Sequence, residues 1–400
     1  MISVSEALSI LSEYMPSKSD ETVSLDKALG RVCSDDILAK VTMPPRDASA
    51  MDGYAVRLQD VRSPGVVLDV IGEVPAGSVF EGSVGTGEAV RLFTGSPIPK
   101  GADHIIIQEN AVRRHDSVTI KIGSDRPKHI RRAGMDFTKG DVLVPRKTTV
   151  APPEIALAAA GNHSDLSVLS RVKVSILAAG DELTLPGSAV EAGDVVNSNT
   201  SALTALIQIW GGATSDMGLA KDDPKAIAAM FERAKDSDII VPVGGASVGD
   251  HDHMRGVFKD LGVDIIFEKI AVKPGKPTWF GVLDGLPVLG LPGNPASATV
   301  CAHLFLRPLM GCDAAISAKA LLECALPGNG PRETYLRANA NLREGRLYAA
   351  PFPRQDSSLL TPFRSANVLL RRMPNAEPLD AGDLVDLIEL GTGPSVMGSA

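Results

Sequence analysis

The segment "VKVSILAAG" (172–180) is a continuous apolar run of strand length, and it opens the pattern that constrains the fold more than any other feature of the chain. After a loop come a helical pattern in "TSALTALIQIWG", a strand pattern in "GATSDMGLA", a helix in "DPKAIAAMFERAKD" opened by Asp223 and Pro224, and a buried strand in "SDIIVPVGG". Strands that alternate with helices indicate βαβ units and a mostly parallel sheet. Ligands of such sheets sit beyond the carboxyl ends of the strands. Those ends are "AAGDEL", "LAKDD", "VGGASVGDHDH" and "LGLPGNPAS", and they hold most of the chemically interesting residues.

At 400 residues the chain exceeds the roughly 250–300 over which one core keeps growing, so several domains are expected. The opening "MISVSEALSILSEYM" reads as an amphipathic helix with Val4, Leu8, Leu11 and Met15 on one face. "SLDKALGRV" predicts a second helix, with Ser24 as N-cap and Gly30 as the left-handed stop. Over 41–140, Pro and Gly punctuate short runs such as "VVLDVIGEV", "EAVRLF", "HIIIQEN" and "SVTIKI", which predicts a β-rich insertion. "APPEIALAAAGN" returns to helix, stopped at Gly161, so 1–40 and 141–170 are expected to pack as one discontinuous helical and mixed body. The α/β section is assigned 171–318. In 319–400, "ETYLRANANLREGRLYAAPF" reads as two strands around "REG" and "DLVDLIEL" as a last strand, consistent with a small C-terminal β-barrel.

The formal net charge of −8 argues against a nucleic-acid or acidic-membrane binder, although a local basic patch still suits a small anion. The start lacks the basic and unbroken apolar regions of a signal peptide. "ASATVCAHLFLRPLM" is broken by His303, Arg307 and Pro308, short of a membrane span. Cys33, Cys301, Cys312 and Cys324 are scattered, as reduced thiols would be. The expectation is a cytoplasmic protein.

Each chemistry-bearing stretch has a bland reading beside the functional one. In "LGLPGNPASATV", Pro292, Gly293, Asn294 and Pro295 form either a tight turn or a backbone-amide anion site at a helix start. In "EKIAVKPGKPTWF", Lys269, Lys273 and Lys276 are either a solvated hairpin or point charges held on a stiff loop for phosphate or an oxyanion. Asp181 and Glu182 suit a Mg²⁺ that bridges phosphates, although Asp181 also suits a turn, and Ser198 or Asn199 a helix N-cap. In "VPVGGASVGDHDHMRG", Gly244, Gly245 and Gly249, with Ser247 between them, admit a phosphorylated ligand to the backbone, while Asp250 and Asp252 serve hard Mg²⁺. His251 and His253, two apart, supply at most part of a transition-metal shell. In the β-rich section, spacing alone makes Asp52, Thr94 and Ser96 turn residues and nothing more.

Taken together and in this order, "DASAMDGYAVR", "FTGSPIPKGAD", "VGGASVGDHDH", "VKPGKPTWFG" and "GLPGNPASA" resemble the molybdopterin molybdenumtransferase family, across nearly the whole chain. The resemblance implies a multidomain α/β plus β protein with a molybdopterin-binding α/β domain. The implied reaction inserts molybdate into adenylylated molybdopterin with release of AMP and with Mg²⁺ as cofactor. It also implies an elongated homodimer whose active cleft is shared between subunits, and a molybdopterin adenylyltransferase as an expected partner.

By motif, the resemblance gives activity to Asp52, Thr94, Asp136, Glu182, Asp222 or Asp223, Asp252, Lys269, Lys273, Pro292 and Pro295. Asp52, Glu182, Asp250 and Asp252 are expected to hold Mg²⁺ and position phosphate. Lys273 and Lys276, with Ser96, are expected to hold molybdate or the pterin phosphate. Met135 stands where the family commonly has an acidic residue, and His251 and His253 where it often has aromatic ones. The rival readings are a gephyrin-like scaffold and a molybdopterin adenylyltransferase.

Overall fold

Six of the seven residues of strand Lys173–Ala179 are buried, which only a strand covered on both faces requires. In the computed structural model, which describes residues 1–75, 77–244, 253–312 and 318–391, it is the second strand of a six-stranded sheet. The order is Ala213–Ala220, Lys173–Ala179, Ile239–Val243, Leu286–Gly290, Trp279–Leu283, Asp264–Phe267. The first four strands are parallel, and Trp279–Leu283 alone runs antiparallel, to both Leu286–Gly290 and the edge strand Asp264–Phe267, so the mostly parallel sheet is as expected.

Alternation along the strands assigns the two faces. Ile239, Val241 and Val243 join Val174, Ile176 and Leu289 in one core, with Leu203 and Leu206 of helix Asn199–Ile209. Ile240, Leu177 and Val288 face the other core, with Ile227 and Phe231 of helix Pro224–Ala234 and Phe258 of helix His253–Asp260. That is a helix–sheet–helix sandwich. Among the described residues no helix is long and apolar enough to cross a membrane.

The first helix, Val4–Glu13, begins with a capping box between Ser3 and Glu6 and buries Val4, Ala7 and Leu11 in the first of these cores. It therefore belongs with the α/β section: one compact unit comprises Met1–Lys18 and Arg171–Ala400, the other Ser19–Ser170. The expectation that all of 1–40 packs with 141–170 needs this correction, because an apolar helical face says that a helix is covered and not by which sheet. Met15, expected on that face, lies past the helix and is 47% exposed.

The C-terminal strands close on themselves. Glu333–Arg343 pairs on one side with Arg346–Pro351 and on the other with Val368–Arg372, and Ala318–Leu322 and Leu384–Glu389 complete the ring, making a five-stranded barrel. The "REG" turn is as expected, with Glu344 and Gly345 at positive φ as a tight hairpin requires. Val272–Lys273 adds to the barrel as a parallel edge strand, which pins the lysine loop.

In the other unit, six strands run in the order His104–Ile107, Gly53–Val56, Glu88–Leu92, Val67–Val74, Ser117–Ile120, Ala111–Arg114. This is the β-rich section expected from the alternating runs. Beside it, Asp20–Ser24 pairs with Asp165–Leu169, and Ile37, Val144, Ala158 and Leu166 share a small core with helix Pro152–Ala160. The helix expected at "SLDKALGRV" is one 3₁₀ turn, Leu25–Lys27, and its expected N-cap, Ser24, is taken into strand Asp20–Ser24. Ser24 makes no side-chain cap, although Gly30 does adopt positive φ. At the end of Pro152–Ala160 it is Asn162, not Gly161, that turns left-handed.

Candidate functional site

A cleft of about 700 Å³ lies beyond the carboxyl ends of the parallel strands, where sheets of this type bind ligands. Its walls come from all four expected segments, with Glu182, Asp222, Gly244 and Pro292 each contributed by a different strand end. Close backbone approach explains two of its glycines. A Cβ on Gly244, at φ +101°, would lie 2.9 Å from the Ala179 carbonyl oxygen, and one on Gly293 would lie 3.4 Å from the Gly244 Cα.

The helix start beside the cleft is built differently from the simple reading. Asn197, buried, accepts at Oδ1 from the Thr200 amide at 3.3 Å and donates from Nδ2 to the Thr200 hydroxyl at 2.9 Å. Ser198 makes no capping bond and lines the cleft, while Asn199 Nδ2 donates to the Gly293 carbonyl at 2.7 Å, tying one loop to the next. A similar division separates the adjacent aspartates. Asp223 accepts from the Ala226 amide at 2.9 Å as the N-cap of Pro224–Ala234, and Asp222 lines the cleft. Asp181 accepts from the Asp222 amide at 3.3 Å, which ties the loop after strand Lys173–Ala179 to the loop that carries Asp222.

A second hollow of about 600 Å³ adjoins the first, the two sharing Pro277, Asn294 and Ser297 as lining. It collects Lys273, Lys276 and Arg332. Both lysines are exposed, and Gly275 between them, at φ +112°, sits directly on buried Cys301. Cys301 accepts from the Thr278 hydroxyl at 3.2 Å, and burial pushes its thiol up to about 12, so it packs and does not react. Lys269 lines neither hollow; it is half-buried, and its carbonyl accepts from the Ile2 amide. Sequence reasoning misses Arg332, since an arginine before a barrel strand has no local signature.

The floor of both hollows includes the segment 355–358. Gln355, Asp356 and Ser357 line the cationic hollow and Ser358 the larger cleft. Asn294 Nδ2 donates to the Ser357 hydroxyl at 3.1 Å, and the Ala296 amide to the Ser357 carbonyl at 2.9 Å. The "LPGNP" segment is thus both a structural turn and part of a ligand wall, with Pro295 in the first turn of helix Pro295–Cys301.

In the Ser19–Ser170 unit, Asp52 and Thr94 do meet. Asp52 Oδ1 accepts from the Thr94 amide at 2.7 Å and from its hydroxyl at 2.9 Å. The Thr94 amide first, then its hydroxyl, holds this half-buried carboxyl below the ordinary range. Arg91 stacks over Tyr54 and Phe93 with its guanidinium 5.2 and 5.0 Å from their ring centroids, and donates to the Gly53 carbonyl at 3.1 Å. Ser96 does not fit an anion-holding role: it is fully buried and its hydroxyl donates to the Val74 carbonyl at 3.0 Å. Asp136 and Met135 are exposed.

Gly245, Ser247, Gly249, Asp250, His251 and Asp252 lie outside the described residues, as does the side chain of His253. Among the described residues no three His, Cys, Asp or Glu side chains converge on a metal position. The donors that do line the cleft, Glu182 and Asp222, are hard oxygens. They suit Mg²⁺ with ligand phosphate completing the shell, and they do not suit an all-protein cage for a transition metal.

Comparison with known proteins covers nearly the whole chain. Family models match residues 2–161 (MoeA N-terminal region, domain I and II), 175–311 (probable molybdopterin binding domain) and 319–390 (MoeA C-terminal region, domain IV). The chain is 30% identical over 399 residues to a molybdopterin molybdenumtransferase of Staphylococcus aureus, covering 97% of this chain and 95% of that protein. It is 35% identical over 315 residues to the protein of that name from Haemophilus influenzae, covering 78% and 77%. Among solved structures, a molybdopterin biosynthesis MoeA protein from Pyrococcus horikoshii superposes with a TM-score of 0.82 at 30% identity, covering 98% of this chain and 99% of that one.

Proposed function

The chain belongs to the molybdopterin molybdenumtransferase (MoeA) family, and from that premise we propose that it inserts molybdate into adenylylated molybdopterin and releases AMP in a Mg²⁺-assisted step. The observation that carries this reading is the pair of adjoining hollows. One is large, lined by glycine backbone and by Glu182 and Asp222, and suits a phosphorylated pterin. The other is lined by Lys273, Lys276 and Arg332, and suits a doubly charged oxyanion.

In this reading Lys273, Lys276 and Arg332 hold molybdate next to the pterin and offset the charge that develops as the phosphoanhydride breaks. Gly244 and Gly293 admit the phosphorylated ligand to the backbone. Glu182 and Asp222 would hold Mg²⁺, which supplies Lewis-acid stabilisation of the leaving phosphate when bound. Asp250 and Asp252, from the sequence pattern, and Asp52, kept ionised by Thr94, are assigned to the same task of positioning metal and phosphate. Among the described residues no cysteine lines either hollow, and holding two ligands in contact requires no covalent protein nucleophile. The protein acts as a homodimer with a shared site, and a monomeric mass at micromolar concentration would contradict that.

The test is incubation of the purified protein with adenylylated molybdopterin, Mg²⁺ and molybdate. AMP release coupled to metal insertion is expected. Absence of both sinks the enzyme reading in favour of a scaffold, and ATP-dependent adenylylation of molybdopterin by this protein alone would replace it with the adenylyltransferase reading.

A further inference from the structure

We infer that Arg337 is a positioning residue for the ligand site: from the outer face of barrel strand Glu333–Arg343, opposite the face on which Ala338 and Ala340 meet the barrel core, it clasps the irregular segment 354–359, whose residues 355–358 line the two hollows. Arg337 lies on strand Glu333–Arg343, is 1% exposed and lines neither hollow itself. Its Nη1 donates to the Leu359 carbonyl at 2.6 Å. Its Nη2 donates to the Asp356 carbonyl at 2.9 Å and the Arg354 carbonyl at 3.5 Å, and its Nε to Gln355 Oε1 at 3.3 Å. Gln355 answers through Nε2, donating to the Arg337 carbonyl at 2.9 Å and the Phe352 carbonyl at 2.8 Å. The guanidinium also stacks 5.5 Å from the Phe363 ring centroid.

A segment with no ladder of its own has carbonyls that must find donors elsewhere, and here one side chain supplies three of them. Only a planar fork with several fixed N–H directions can do so at once; an ammonium cannot reproduce the geometry. All the acceptors are neutral oxygens, so the buried charge is solvated by this segment's dipoles and binds the segment in return. The opposite edge of the segment is held by Asn294 and Ala296, which meet Ser357. Gln355, Asp356 and Ser357 are thereby fixed against the lysine hollow, and Ser358 against the larger cleft.

The inference rests on reading the Lys273–Lys276 hollow as an oxyanion site, and the experiment separates the two. Molybdate alone is titrated calorimetrically into the full-length protein and its variants. Lys273→Ala should abolish binding. Arg337→Lys, which keeps the charge and loses the fork, should weaken it about tenfold, the scale on which sub-ångström misplacement acts. In turnover, Arg337→Lys should raise KM for molybdate by the same factor with kcat little changed. Parental binding by Lys273→Ala overturns the oxyanion site, and the role of Arg337 with it. Loss of binding in Lys273→Ala with parental affinity in Arg337→Lys overturns the positioning role alone, as does a fall in kcat at unchanged KM. If Arg337→Lys does not fold, Gln355→Leu cuts the clasp from the segment's side, and parental molybdate affinity in that variant overturns the inference.

Discussion

Substituting Gly275 with alanine tests whether the lysine loop is held by its packing on Cys301. A Cβ at this position would lie 2.0 Å from Cys301 Sγ, while its next neighbours, Val272 Cγ1 at 3.5 Å and Thr278 Oγ1 at 3.7 Å, are ordinary contacts. One atom therefore carries the whole steric conflict. The backbone also sits at φ +112°, a strained conformation for any residue with a Cβ, costing about 1–3 kcal/mol. Relieving the overlap demands a shift of about 1.5 Å in a packed core, a further 1–3 kcal/mol or so. Gly275→Ala should thus destabilise its unit by about 2–6 kcal/mol. In a Cys301→Ala background the overlap is gone and only the backbone strain remains, so the same change should cost about 1–3 kcal/mol, a coupling of about 1–3 kcal/mol. The chain's two tryptophans, Trp210 and Trp279, both lie in this unit, so urea unfolding followed by tryptophan fluorescence reads it selectively. Equal costs in the two backgrounds, or a cost below about 1 kcal/mol in the parent, would refute the claim that Cys301 props the loop.

Four further outcomes are expected. Asp52→Ala should abolish turnover while leaving the circular dichroism spectrum intact, and full activity would remove Asp52 from the site. Because the Thr94 amide and hydroxyl hold the Asp52 pKa down, the carboxylate contributes stability that is present above the ordinary carboxyl pKa and lost as pH falls through the lower folded value. The midpoint difference between parent and Asp52→Asn should accordingly vanish in acid, and a difference that grows in acid would contradict the hydrogen-bond assignment. His104 is buried, with Nδ1 accepting from the Lys128 amide at 3.0 Å, and burial lowers its pKa from 6.5 to about 4. Its unfolded form takes up a proton first, so its unit should lose roughly 3 kcal/mol as pH drops from above 6.5 toward 4. His104→Gln should flatten that limb, as followed by circular dichroism. Finally, Glu182→Gln combined with Asp222→Asn should raise the Mg²⁺ concentration needed for half-maximal turnover at least tenfold; an unchanged Mg²⁺ dependence would move the metal elsewhere.

Much of the site was legible because it lies in short segments whose chemistry is local. The strand ends at Gly180, Ala220, Val243 and Leu291 could be read from apolar runs that stop at glycine or at charge, and the sheet rule then gathers Glu182, Asp222, Gly244 and Pro292 around one cleft. Lys273 and Lys276 announced themselves through the prolines and glycine that stiffen them. Resemblance, not physics, singled out Asp52 and Thr94, since a hydrogen bond between residues 42 apart leaves no trace in spacing. The anion-holding role expected of Ser96, which no motif carried, fails because only tertiary structure reveals a hydroxyl already given to Val74.

The sequence by itself determined the elements and their faces. Periodicity records which side of a strand or helix is apolar, and turn residues such as Glu344 and Gly345 record where the chain reverses. Tertiary structure alone decided which faces meet. It sent helix Val4–Glu13 to the α/β core instead of the body beside it in sequence, and reduced the helix of "SLDKALGRV" to one 3₁₀ turn by taking its first residue, Ser24, into a strand paired with Asp165–Leu169. It also brought Arg332 beside Lys273, and set Arg337 behind the floor they share with Asp356 and Ser357. The physical reason is the same in each case: burial and hydrogen bonding are satisfied by any complementary surface, and which surface is within reach depends on the whole chain.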